Sequence, residues 1–147
     1  MAKSKKDIFE LIPHHCGIFV PDIESSIAWY RDILGFTLSH RSTLTRGEIP
    51  RKVAFMKHGD FYIELFDYAD AAPFSDDVYH KTCGTKHIAF DVQDLPQIVY
   101  TLKSRGVEIV FHNQPETEPR LENRPRGVAF IRDNAGTLIE LIEGFSP

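Results

Sequence analysis

Cysteine is scarce: two in 147 residues, Cys16 and Cys83, are too few for a disulfide framework and fit a reducing compartment. An excess of positive charge is also missing. The 17 lysines and arginines stand against 21 acidic residues, giving a net charge of -4 and no basic stripe to gather phosphates, so no nucleic-acid partner is expected. No apolar run approaches the roughly 20 residues of a membrane helix, and the opening MAKSKKDIFE lacks the apolar core of a secretory signal. The expected location is therefore the cytoplasm, with no membrane partner. Tryptophan occurs once, but eleven phenylalanines and a 42% hydrophobic content suffice for one good core, or for two small cores sharing an interface.

Two pairs of segments recur in the same order. HCGIFVPDIESSIAWYRDILG, from His15 to Gly35, matches HIAFDVQDLPQIVYTLKSRG, from His87 to Gly106: each opens on a histidine, carries an aspartate seven positions later (Asp22, Asp94) and closes on a glycine. RKVAFMKHGDFYIELF, from Arg51 to Phe66, matches RGVAFIRDNAGTLIELI, from Arg126 to Ile142, through Arg-x-Val-Ala-Phe and then Ile-Glu-Leu. The offset between copies is nearly the same for the histidines as for the glutamates.

Local signals agree within each copy. Asp22 and Asp94 are expected helix N-caps, Pro96 suits a first turn, and Gly35 and Gly106 are expected to end the helices. Between them Ile23, Ile27, Trp29-Tyr30 and Leu34, and Leu95, Ile98-Val99 and Leu102, recur at helical spacing. The runs FTLSH, VAFMKH, FYIELF, EIVFH, VAFIR and TLIELIE read as strands, with hairpin turns at His58-Gly59-Asp60 and at Asp133 to Gly136. Each copy thus reads β-α-β-β-β: module one over about residues 13–68 and module two over about 85–144, joined by a linker at about 69–84. A second long loop is expected from His112 to Arg126.

Side chains alternate across a strand, so His15, Gly17 and Phe19 share the face opposite Cys16, Ile18 and Val20. His87 repeats the placement of His15. Glu64 lies between Tyr62 and Phe66 on its own face, and Glu140 between Leu138 and Ile142, where a lone carboxylate is costly to bury. Two histidines and two carboxylates at equivalent points of two copies form a nitrogen and oxygen donor set suited to a borderline divalent cation, if the copies pair about a pseudo-twofold axis. His14 falls on the other face, and His40, His58, His80 and His112 read as surface residues. Arg51 and Arg126, equivalent in the repeat, are candidates for contacting an anionic substrate, with Arg120 and Arg124 as further entrance-lining candidates.

HHCGIFVPDIESSIAWYRDILGF, KHIAFDV and the Ile-Glu-Leu strands resemble the vicinal oxygen chelate superfamily, also called the glyoxalase/bleomycin-resistance/dioxygenase family, over nearly the whole chain after residue 13. The resemblance implies an α+β fold in which two β-α-β-β-β modules form a cupped mixed sheet around one divalent metal ion (Ni, Zn, Co, Mn or Fe), with ligands at His15, Glu64, His87 and Glu140. The complete set of four is similar to glyoxalase I. It implies a lyase or isomerase that transfers a proton through a metal-stabilised enediolate on a small oxygenated substrate, with Glu140 or Glu64 as base. Bacterial glyoxalase I carries an arginine and an asparagine, both holding glutathione, where this chain has Phe19 and Tyr68, so these two positions are expected to face a different substrate. The resemblance leaves open an Fe(II) extradiol-type dioxygenase, a methylmalonyl-CoA epimerase-like enzyme and a ligand-sequestering resistance protein. It also implies a homodimer.

Overall fold

The computed structural model describes residues 11–72, 74–114 and 126–144. Module one runs β1 (His15–Val20), α1 (Ile23–Leu34), β2 (Thr37–Leu44), β3 (Arg51–His58) and β4 (Phe61–Asp67). A short helix, α2 (Asp76–Lys81), follows, and module two runs β5 (Ile88–Val92), α3 (Leu95–Ser104), β6 (Ile109–Asn113), β7 (Gly127–Arg132) and β8 (Leu138–Glu143). The linker thus holds a helix where only a loop is expected. His112 lies in β6 rather than in the long loop, and Arg120 and Arg124 lie outside the described residues.

The α+β class and the mixed sheets are those expected. The strands form two four-stranded sheets, ordered β1-β4-β3-β2 and β5-β8-β7-β6, with the first pair of each parallel and the rest antiparallel. Among the described residues β1 and β5 are both edge strands. Within this chain the sheets therefore stay separate.

The helices form for the reasons the sequence offers. Asp22 accepts hydrogen bonds from the Glu24 and Ser25 amides, and Asp94 accepts one from Gln97, satisfying donors that the first turns leave open. Gly35 ends α1 at φ 74, a left-handed conformation that glycine adopts without strain. The cap of α3 is Arg105, and Gly106 follows it at φ 78.

Each helix covers one face of its sheet. Ile23, Ile27 and Tyr30 of α1 are buried in one cluster with Ile18, Val20, Met56, Ile63 and Leu65 of the first sheet, and Leu95, Val99 and Leu102 of α3 with Ala129, Ile131, Ile139 and Leu141 of the second. These residues belong to a single core, and full burial of each aliphatic side chain contributes about 1.5–3 kcal/mol. Phe90 joins the halves, with its ring centroid 6.0 Å from Phe36 and 5.9 Å from Phe61. A buried polar contact adds direction: the Tyr30 hydroxyl donates to Asp133 at 2.8 Å, and Asp133 also accepts from the Ala135 and Thr137 amides of the β7–β8 turn. The two sheets therefore share a core through their helix-covered faces. The opposite face of each sheet is turned away from that core.

Candidate metal centre

Both outward faces carry a histidine and a glutamate in contact. His15 Nε2 lies 3.2 Å from Glu64 Oε2, and His87 Nε2 lies 2.9 Å from Glu140 Oε2. The parallel register places Gly17 beside Glu64 and Ala89 beside Glu140, so a small residue on the edge strand leaves room for each carboxylate. Exposure is matched as well: 39% and 18% for the side chains of His15 and Glu64, 37% and 16% for those of His87 and Glu140. Each glutamate is thus mostly covered, while its histidine stands open on one side.

A phenylalanine completes each pair. Phe55 is registered opposite Glu64 and meets the His15 ring at 5.8 Å and 83°; Phe130 is registered opposite Glu140 and meets the His87 ring at 5.5 Å and 88°. These edge-to-face contacts fix the imidazole planes. The Arg-x-Val-Ala-Phe repeat carried this signal, since its phenylalanines fall at equivalent strand positions.

His14 departs from its expected place. It precedes β1, so strand alternation does not bind it, and its ring stacks on Tyr62 while its Nδ1 lies 2.8 Å from Nδ1 of His15. That hydrogen bond engages the inner nitrogen of His15 and leaves Nε2 toward Glu64, as outer partners of metal-binding histidines do.

The four residues come together in twos. Among the described residues no group of three or more histidine, cysteine, aspartate or glutamate side chains is placed to hold a metal. The cause lies in the shared core: each half-site sits on the sheet face turned away from it. A nitrogen and an oxygen donor in each pair are chemically suited to a borderline divalent cation, and two such pairs brought together would offer four protein ligands.

The remaining candidates have mixed positions. Arg51 is held by Asp70 through a bidentate ion pair, at 2.5 and 3.1 Å, and its guanidinium carbon lies 4.0 Å from the Tyr68 ring centroid. The same hydrogen-bonded pairing holds the Asp70 carboxyl below its usual range. Phe19 stacks on Tyr68 and is exposed. Arg126, exposed, sits just before β7, where its amide donates to the Glu143 carbonyl. Cys16 is half-buried, and burial pushes its thiol up. No helix among the described residues is long and apolar enough to cross a membrane.

The sequence profile of the Glyoxalase/Bleomycin resistance protein/Dioxygenase superfamily matches residues 12–141. An uncharacterized protein, YaeR, of Escherichia coli (strain K12) is 32% identical over 88% of this chain and 94% of its own. A probable lactoylglutathione lyase of Synechocystis sp. (strain ATCC 27184 / PCC 6803 / Kazusa) is 29% identical over 88% and 92%. The crystal structure of a glyoxalase family protein from Enterococcus faecalis superposes with a TM-score of 0.72 at 21% identity, covering 92% of this chain and 98% of that one. With the profile spanning nearly the whole chain, this protein belongs to the Glyoxalase/Bleomycin resistance protein/Dioxygenase superfamily.

Proposed function

We propose that this protein is a divalent-metal-dependent lyase or isomerase of the glyoxalase type, acting on a small oxygenated substrate. Its site would be completed when His15 and Glu64 of one copy face His87 and Glu140 of the partner subunit. One observation carries the reading: two matched His–Glu pairs stand on outward faces of the sheets and do not meet within one chain. Two donors per pair are too few to close a site, whereas four leave coordination positions for substrate.

When bound, a divalent metal supplies Lewis acidity that acidifies a C–H bond beside a carbonyl. The chain supplies the rest. Glu64 or Glu140, each mostly covered yet reachable, takes up the proton at a carboxylate oxygen and returns it to the neighbouring carbon. Phe55 and Phe130 fix the imidazole rings and shield one side of each pair from water. His14 keeps His15 in one orientation through its Nδ1 contact.

Intersubunit complementation tests this reading. A chain carrying His15→Ala and Glu64→Ala, and another carrying His87→Ala and Glu140→Ala, should each purify without stoichiometric metal. Mixed and reassembled, they form dimers in which one site regains all four ligands, so about half of the wild-type metal content of such a dimer should return by elemental analysis. Full metal retention in either parent chain, or no recovery in a verified heterodimer, would overturn the assignment.

A further inference from the structure

The join between the two modules is incompletely filled. A cavity of about 440 Å³ lies between the end of α1, the strand β5 and the helix α3, on the helix-covered side of the sheets. Its apolar walls come from both modules: Ile33 and Leu34 of α1, Phe90 and Val92 of β5, and Ile98 of α3, each only partly buried. Apolar side chains left partly uncovered in a cleft of this size, at a junction of two structural units, have the character of a small-molecule site. The His–Glu pairs stand on the opposite faces of the sheets, so this cavity is separate from the proposed metal centre.

Charge narrows the class of ligand. Arg105, exposed at the C-terminus of α3, lines the cavity and donates through Nη1 to the Asp32 and Ile33 carbonyls at 3.1 and 3.3 Å, groups of the last turn of α1. The Asp32 carboxylate itself is taken by Arg31. Carbonyl oxygens do not neutralise a guanidinium, and Nε and Nη2 remain, the edge that grips a carboxylate in two parallel bonds. Asp91 is the one acidic residue among those lining the cavity, and strand alternation puts its side chain on the face opposite Phe90 and Val92. His58, also at the wall, carries no negative charge in either form. Gln97 and Thr101 bond to each other, which engages the hydroxyl of Thr101. What remains is an aliphatic wall with one unpaired cation at its rim. We propose that this cavity binds a medium-chain aliphatic carboxylate, its chain against Leu34, Phe90 and Ile98 and its head on Nε and Nη2 of Arg105.

The test is calorimetric titration of the full chain with hexanoate, octanoate and decanoate, and with octanol as the neutral counterpart. Each two-carbon extension should tighten binding to wild-type protein about tenfold, as burial of two methylenes requires. Octanol should bind about tenfold more weakly than octanoate, because it lacks the charged head. Arg105→Leu should abolish that difference, and Arg105→Lys, which keeps the charge without the fork, should reduce it to about threefold. Ile98→Trp fills the cavity from the helix surface and should weaken every probe by about tenfold or more, so the test stands even if Arg105→Leu, deprived of its contact with α1, does not fold. All affinities should be the same with and without chelator. Lack of saturable binding, an octanoate preference that survives Arg105→Leu, or octanoate affinity unchanged in Ile98→Trp would overturn the proposal. Binding that disappears with chelator would place the acid on a metal at the outward faces and overturn it as well.

Discussion

The four proposed donor residues stand out in the sequence because each repeats: a histidine at or just before the first strand of each module, a glutamate inside each Ile-Glu-Leu run. Phe55 and Phe130 repeat too, but only strand register shows that they stand opposite the glutamates. His14 gives no such signal, since its contacts depend on where β1 begins. Carboxylate chemistry is tested at this scale by conservative change. Glu64→Gln and Glu140→Gln keep shape and remove the base, so the variant that loses the proton acceptor should lose about 10²–10⁴ in kcat, while the other loses mainly metal affinity. Equal, small losses in both would remove the proton-transfer role. Tyr30 offers a pH prediction. Burial, then the neighbouring Asp133 charge, raises its hydroxyl above the ordinary value of about 10. Its folded-state pKa exceeds the unfolded one, so its stabilisation is full below about pH 10 and is lost as pH rises above that value. Tyr30→Phe should therefore cost about 1 kcal/mol at neutral pH and flatten the fall in stability above about pH 10, measured by urea unfolding.

Elements were legible where periodicity and caps coincide, as in α1 and α3, and less so where neither applies. The helix α2 breaks the linker among residues whose turn-forming character hides it, and the bulges in β2 and β6 leave no sequence mark. β1 shows how an element constrains the site. A Cβ added at Gly17 would come 3.2 Å from the Phe66 ring and 3.9 Å from Glu64 Oε2. Gly17→Ala asks Phe66 to yield by a few tenths of an ångström; Gly17→Val places a branched group against the carboxylate as well. Valine favours strands, so the fold should persist while Glu64 is displaced. The expected result is an unchanged far-ultraviolet circular dichroism spectrum with metal affinity lowered about tenfold or more, read by competition with a chromogenic chelator. Unaltered affinity would show that Glu64 is not held in place by its contact with His15.

At the scale of the molecule, the repeat announces two equivalent modules but not how they meet, because pairing two like units through their helix-covered faces or through their open faces satisfies the same hydrophobic pattern. The chain uses the first arrangement, with Phe36, Phe61 and Phe90 at the join and Tyr30 bonded to Asp133 across it. The open faces, bearing the His–Glu pairs, are the ones that the proposed two-copy site would bring together. A metal shared across that proposed junction would stabilise the folded dimer with the logarithm of its free concentration, by about 2.7 kcal/mol at a hundredfold excess over Kd. For a chain of this size that corresponds to roughly 5–10 °C in Tm. Chelator should therefore lower Tm by that amount and make it fall further on dilution, because the dimer then lacks its bridging ligands. His15→Ala should melt near the chelated wild-type value and show no further response to chelator. A metal held within one chain predicts the opposite for dilution: the chelator shift would be the same at every protein concentration, and sedimentation would show no loss of dimer when the metal is removed.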